Sequence, residues 1–573
     1  MHDVIVRGAR VVDGTGAPAV VADVGVTAGR IDAVGTGTGA ARAEIDGSGR
    51  VLCPGFVDVH THYDAQLLWD PTASPSVLHG VTAVLGGNCG FSIAPLAPGD
   101  AGYIQRMMAV VEGIPLAALE STGPWDWTGF AAYLDRVDRG LAVNAGFLVG
   151  HSAVRRAVMG DDATRRGATE VEIEAMAAMV ASAAADGAMG FSSSLGEGHL
   201  DGDGRPVPSS WAGTEEFVAL AGALRQAPGT TLEFIPCIGE IPEERMELMA
   251  EMALAAGRRL NWNLLGSLAS EEIWAQQLAA SDLAAARGAE VVALALPDMM
   301  RMRASTLLPG LPGWREVLGR DRPGRLAAAA DPVTRAALRA GAEKVAARAV
   351  GVLADFSLME VGDPASPHAG RSLGEIAAAR RTDVVDVLID VVLPDALTLF
   401  TVLPSLTPSL GRTDEGWAER VRIWQDPRVM LGGSDAGAHL DLMCHANYPT
   451  VVLGEVVRDR GLLALEEAVE MMTDRPARHY GLVGRGRVAP GYHADLVLFD
   501  PAAVRTEPAE LRADLPGGGE RLVAGAVGIE RVLVGGVEVV TGGHPTGARP
   551  GRVLRSGRDS ATAAPLRPSP PRR

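Results

Sequence analysis

Pro54-Gly55-Phe56-Val57-Asp58-Val59-His60-Thr61-His62 is an apolar run that ends in two histidines one residue apart. If the run is a strand, alternate side chains share a face and both imidazoles point the same way. Strands closing into a parallel barrel turn that face to the lumen, and the C-terminal ends of the strands form the catalytic rim. Two neutral imidazoles at such a rim are half of a zinc site. The plain alternative is two hydrogen-bonded polar residues in a barrel mouth.

Working outward, further apolar runs bounded by Gly or Pro occur at 81–88, 142–151, 187–193, 231–236, 260–266, 291–297 and 429–435. Amphipathic helical stretches separate them, among them TEVEIEAMAAMVASAAAD, TEEFVALAGALRQ and ERMELMAEMALAAG. Eight such units predict an α/β fold, a (β/α)₈ TIM-like barrel. The two ends share another grammar: VIVRGARVVDGTG and RVLVGGVEVVTGG each read as strand, Gly turn, strand. The expected domains are therefore a composite β-sandwich from 1–54 plus 484–555 and a barrel over 55–483. The barrel carries an inserted subdomain around 300–400. Residues 556–573, rich in Pro, Ser, Arg and Ala, read as a disordered tail.

The formal charge of −18 repels phosphate backbones and anionic lipid, so neither nucleic acid nor a membrane is an expected partner. The four cysteines (Cys53, Cys89, Cys237, Cys444) form no CxxC pair, which argues against a disulfide framework and for a cytoplasmic location. The N-terminus lacks a basic head followed by an apolar core, so no secretory signal is expected there. The expected partner is a small molecule, and a homo-oligomer is left open.

The eighth run ends in Gly432-Gly433-Ser434-Asp435, with His439 one turn on. A carboxylate at that rim can both coordinate a metal and take a proton from water, although Asp is also a good helix N-cap. The second run leads to Asn88-Cys89-Gly90, where a thiolate can ligate a metal or simply be a small buried hydrophobe. His151 closes the third run, with Arg155 and Arg156 behind it. His151 can bind substrate or make a structural hydrogen bond. Either arginine can hold a substrate carboxylate or form an ion pair. His439 can orient Asp435 or touch substrate, and the loop Gly196–His199 can lie over the pocket.

PGFVDVHTHYDAQ, GGNCGFS, VGHSAVRRAVMG, GAMGFSSSL, GGSDAGAH and GYHADLVLFDP together resemble the amidohydrolase superfamily, in its N-acyl-D-amino-acid deacylase (D-aminoacylase) branch. The resemblance implies a barrel with a composite β-sandwich, zinc (one ion or two) and hydrolysis of an N-acyl amide. It matches His60 and His62 to the first-strand histidines, Cys89 to the metal-binding cysteine and Asp435 to the catalytic aspartate. The family pattern also has metal-binding histidines on strands five and six, where this chain reads Thr-Leu-Glu233-Phe and Leu-Asn261-Trp-Asn263. Glu233 can replace one ligand or be a buried carboxylate paired with Arg. Asn261 and Asn263 are poor zinc ligands and better suited to hydrogen-bonding a substrate amide. Two other readings stay open: a cyclic amide hydrolase of the hydantoinase or dihydropyrimidinase type, and a degenerate barrel that binds a small ligand without turnover.

Overall fold

The computed structural model describes the chain except residues 197, 238, 266–270, 298–300, 347–354, 363–365, 395–398, 402–413 and 564–573. Eight parallel strands make its central sheet: β1 (Phe56–Asp58), β2 (Val81–Gly86), β3 (Asn144–Gly150), β4 (Gly190–Ser194), β5 (Thr231–Ile235), β6 (Leu260–Leu265), β7 (Val291–Ala295) and β8 (Val429–Leu431). They pair in sequential order, as right-handed strand–helix–strand units require. The sheet curls so that its two edge strands meet just beyond their ends. There Thr61 bridges Ala436, the His62 N–H donates to the Ala436 carbonyl at 2.7 Å, and the Asp435 N–H donates to the His60 carbonyl at 3.0 Å. This is a curled parallel sheet of the TIM-like kind.

Outside the sheet pack α1 (Ala101–Val111), α2 (His151–Met159), α3 (Glu170–Asp186), α4 (Thr214–Gly222), α5 (Glu243–Ala256) and α6 (Glu271–Ala286). Helix α3 starts where the sequence says it must. Thr169 and Glu172 form a reciprocal capping box, and Gly187, at φ 111°, ends the helix in a left-handed turn. Strand alternation is clean on β5: Leu232 and Phe234 pack in the core outside the lumen, with Phe234 edge-on to Phe217 of α4. Glu233 between them is left facing inward. Inside, Val57, Val59, Leu85, Leu148, Leu294 and Met430 fill the lower lumen, so the curled sheet encloses a packed core below its rim.

The chain between β7 and β8 forms a body with its own core, including Leu308, Trp314, Leu338, Phe356 and Leu388, and a small antiparallel sheet of Arg301–Arg303, Glu360–Val361 and Leu399–Thr401. Both chain ends enter a single nine-stranded sheet, joined where Val51–Pro54 pairs antiparallel with Leu496–Phe499. RVLVGGVEVVTGG is a hairpin turning at Gly535 and Gly536. VIVRGARVVDG instead runs as one strand, His2–Val11, because Gly8 at φ 60° bulges the pairing without reversing it.

The ordered chain also runs past residue 555, into what composition marks as a tail. Leu554 inserts among the lower lumen side chains, the Ala561 N–H donates to the Gly481 carbonyl at 2.9 Å, and Ser560 donates to the Gly229 carbonyl at 2.6 Å. Composition misses this because a few anchoring residues hold the strap without any apolar periodicity. Among the described residues no helix is long and apolar enough to cross a membrane.

Candidate metal centre

Regular pairing on β1 stops at Asp58, and the two histidines follow it on the rim. The buried Asp58 carboxylate accepts the backbone N–H groups of His60 (3.4 Å) and Ser434 (3.2 Å), together with the Ser434 hydroxyl. It thereby ties the end of β1 to the loop after β8. That loop bends through Gly432 and Gly433 so that Asp435, at φ 58°, faces the histidines. Cys89, also at φ 58°, comes in from the turn after β2.

Four donor atoms converge. His60 Nε2 lies 3.3 Å from Cys89 Sγ and 3.5 Å from Asp435 Oδ1, while His62 Nε2 lies 3.9 Å and 3.0 Å from the same two atoms. Zinc bonds of ~2.0–2.3 Å in tetrahedral array put neighbouring ligand atoms about 3.3–3.6 Å apart. These four edges bracket that value, so His60, His62 and Cys89 have the spacing of zinc ligands and the Asp435 carboxylate approaches both histidine nitrogens of that set.

Each histidine is held from behind through Nδ1. His60 Nδ1 is 2.9 Å from Asn263 Nδ2, and His62 Nδ1 is 3.3 Å from Glu112 Oε1. The Glu112 carbonyl also accepts the His439 N–H at 2.5 Å, coupling the end of α1 to the Asp435 loop. Sequence reading missed Glu112. The available signal was an acidic residue closing the apolar run MMAVV just before Gly113.

Electrostatics in the metal-free centre follow from burial and charge. Burial pulls the His62 imidazole down, but Glu112 and Asp435 outweigh it and push its pKa up to about 10. Burial would raise Asp435, yet the hydrogen bond from His62 and the nearby imidazoles hold it well below the usual carboxylate range. Desolvation lowers His60 to about 4 and raises Glu233 to about 8. Burial, with the charges of Glu233, Glu112 and Asp435, keeps the Cys89 thiol protonated in the absence of a cation. A divalent cation would replace these protons and balance the carboxylates.

Glu233 faces the lumen as the strand register requires but lies outside the converging donors, which corrects the expectation that it ligates the metal. Both its oxygens are engaged, Oε2 by the Cys89 backbone N–H at 2.8 Å and Oε1 by the Asn263 amide. Asn263 is in turn committed to Glu233 and His60 rather than presented to a substrate amide. Asn261 takes a hydrogen bond from Tyr480 at 2.7 Å.

His151 and Arg155 are likewise not where a substrate residue must be. His151 opens α2 on the helix side of the sheet, between Phe191 and Phe217, with Nδ1 2.8 Å from Ser193 Oγ and Nε2 2.8 Å from Glu216. The fully buried Arg155 forks onto Glu216 and the Ala163 and Arg166 carbonyls. A buried ion pair with its hydrogen bonds filled is structural. Arg156 is paired with Asp100 and Asp161.

His439 does border the centre, with Nε2 3.8 Å from Asp435 Oδ2. The Asp435 and His439 side chains retain 24% and 30% of their exposure against 1% for His62, so this is the side open to an incoming molecule. His199 hydrogen-bonds Ser194 at 3.1 Å and packs edge-on to Phe91, while Glu197 of the same loop lies outside the described residues.

Comparison with known proteins adds an independent line. The amidohydrolase family model matches residues 43–394 and 399–540. A D-aminoacylase of Alcaligenes xylosoxydans xylosoxydans is 31% identical over 561 residues, spanning 96% of this chain and 97% of that protein. A solved D-aminoacylase structure, described by its binuclear metal centre with one-metal activation and second-metal attenuation, aligns with TM-score 0.63 at 31% identity. It covers 97% of this chain and all of its own. An N-acyl-D-glutamate deacylase of Bordetella bronchiseptica, solved with zinc and a phosphonate mimic of the tetrahedral intermediate, aligns with TM-score 0.63 at 27% identity, again over 97% and 100% of the two chains.

Proposed function

The chain belongs to the amidohydrolase family, and on that premise we propose that it is a zinc-dependent deacylase of N-acyl-D-amino acids. The observation that carries the reading is the convergence of His60, His62, Cys89 and Asp435, with edges of 3.0–3.9 Å, in a chain similar along almost its whole length to D-aminoacylases. In this reading the four residues hold the ion, residues 1–54 plus 484–555 form the composite β unit, and residues 55–483 form the barrel with its insert.

Zinc bound there would polarise an amide carbonyl and make water a stronger acid and nucleophile. The protein's own residues do the rest. Asp435, kept ionised by the imidazoles around it, is the group able to accept a proton from attacking water and return it to the leaving nitrogen. Its strained backbone and the Asp58–Ser434 tie fix its carboxylate at the rim. His439, on the open side of that carboxylate, is placed to meet the substrate. Glu112 accepts the His62 Nδ1–H and the Asn263 side chain, through its amide oxygen, takes that of His60, which leaves Nε2 of each directed at the shared point.

The test is release of free amino acid from N-acetyl-D- and N-acetyl-L-amino acids by zinc-loaded protein, with a hydantoin run alongside. Release from the D series supports the reading. Turnover of the hydantoin alone, or of none of these, overturns it.

A further inference from the structure

We propose that the centre holds a single zinc ion, and that Asn263 and Glu233 occupy the lumen beside it as hydrogen-bonding posts for His60 and Cys89 rather than as ligands of a second ion. The inference deepens the deacylase reading and rests on it. Among the described residues two groups of donors lie close enough to share an ion, His60–His62–Cys89 and His62–Glu112–Asp435. They are not two sites. His62 belongs to both, and Asp435 Oδ1 already lies 3.5 Å and 3.0 Å from the two Nε2 atoms of the first group. Glu112 faces the opposite ring nitrogen of His62, where it orients the imidazole.

Among the described residues no other histidine joins either donor group. Of the twelve in the chain, His151 is committed to Ser193 and Glu216, His79 to Thr450 and Ala524, and His199 turns Nδ1 to Ser194. The space next to His60 and Cys89 is taken by the Glu233–Asn263 pair. One Glu233 oxygen accepts the Cys89 N–H at 2.8 Å and the other lies against the Asn263 side-chain amide. The same amide lies 2.9 Å from His60 Nδ1, which keeps the ring proton once Nε2 takes zinc and then donates it to the amide oxygen. The pair thus secures two zinc donors at once: the Cys89 backbone in its left-handed turn and the His60 ring plane. An Asn amide is a weak zinc ligand, and the Glu233 carboxylate belongs to neither donor group. The solved D-aminoacylase, with its binuclear centre, is the contrast.

The experiment is metal counting. Protein is equilibrated with excess zinc, freed of unbound metal and measured for zinc per chain by mass spectrometry. One ion per chain is expected. Two would overturn the inference and leave the deacylase reading standing, whereas none would overturn both. Competition with a chromophoric chelator then reads the posts. Asn263→Ala should still bind one zinc but about 10–100-fold more weakly, the usual cost of losing a group that orients a ligand. Glu233→Gln, nearly the same shape, keeps the stoichiometry at one. Wild-type affinity in Asn263→Ala, or loss of all zinc from Glu233→Gln while it remains folded, would overturn the role assigned to the pair.

Discussion

Cys89, Asp435 and His439 have φ of 58°, 58° and 49°, half of the six non-glycine residues with positive φ among those described. Each such conformation costs on the order of 1 kcal/mol or more and persists only where the surroundings impose it. Here the surroundings are visible: Glu233 holds the Cys89 N–H, the His60 carbonyl holds the Asp435 N–H, and the Glu112 carbonyl holds the His439 N–H. The strain aims side chains at one point, and two predictions belong to it. Asp435→Asn keeps the shape but removes the proton acceptor, so turnover should fall by at least about a hundredfold. A near-normal rate and pH profile in that variant would mean another group moves the proton. Glu112→Gln leaves the four donors in place but loosens His62 from behind, so the zinc dissociation constant should rise by about 10–100-fold. An unchanged constant in chelator competition would show that Glu112 does not orient the ligand. That His60, His62, Cys89 and Asp435 approach one another was legible because motif and strand end coincide. Glu112 was not, since its partner lies fifty residues away in sequence and nothing local marks the pairing.

Strands and helices were the most legible level, because an apolar run bounded by Gly or Pro has few other homes than a buried parallel strand. What sequence could not show was which face of a strand-to-helix junction a side chain takes. His151 ends the third apolar run as His60 ends the first, yet it turns to the helices, where Glu216 on α4 awaits it. That partner is fixed only by packing. The same holds for His79, at the end of the short helical turn Ser76–His79. There it is buried, with Nε2 3.0 Å from the Ala524 carbonyl and Nδ1 2.8 Å from Thr450 Oγ1, joining the barrel wall to two segments of the C-terminal half. Burial depresses its pKa from the usual 6.5 to about 4. An imidazole with a depressed folded pKa binds fewer protons folded than unfolded, so its contribution to stability is complete above about 6.5 and is lost as pH falls toward 4. At about 1.4 kcal/mol per pKa unit, the loss by pH 4 is on the order of 2–3 kcal/mol. Replacing His79 with Gln should therefore lower Tm at pH 7 but flatten its fall between pH 7 and pH 5. Parallel Tm curves for the two proteins would show that His79 does not titrate in this window.

At the scale of the whole molecule, the chain closes on itself. Its two ends meet in one sheet, and the segment after that sheet returns to the floor of the barrel opposite the metal centre. Gly551 pairs with Leu141 and Val553 with Ala145 just before and within β3, and Leu554 enters the lower lumen beside Leu482 and Tyr480. Arg555 reaches the Asp186 carbonyl and the Asp135 carboxylate, while Asp559 takes the Arg555 N–H. The curled parallel sheet needs its lower mouth filled, since an open lumen lined by Val57 and Leu148 would admit water to apolar surface. Leu554 supplies that stopper and is fully buried. Removing its side chain leaves a cavity bounded by rigid strands that cannot collapse, so Leu554→Ala should cost about 2–5 kcal/mol of stability. A chain ending at residue 550 loses the stopper and the edge pairing with β3 together and should melt several degrees lower still. A chain ending at residue 563 keeps these contacts, down to the Gly229 N–H on Thr562 at 3.1 Å, and should melt above the one ending at 550. Zinc content, set at the opposite rim, should be unchanged in Leu554→Ala. Equal melting temperatures for the chains ending at 550 and 563 would show that the strap is not what closes the floor.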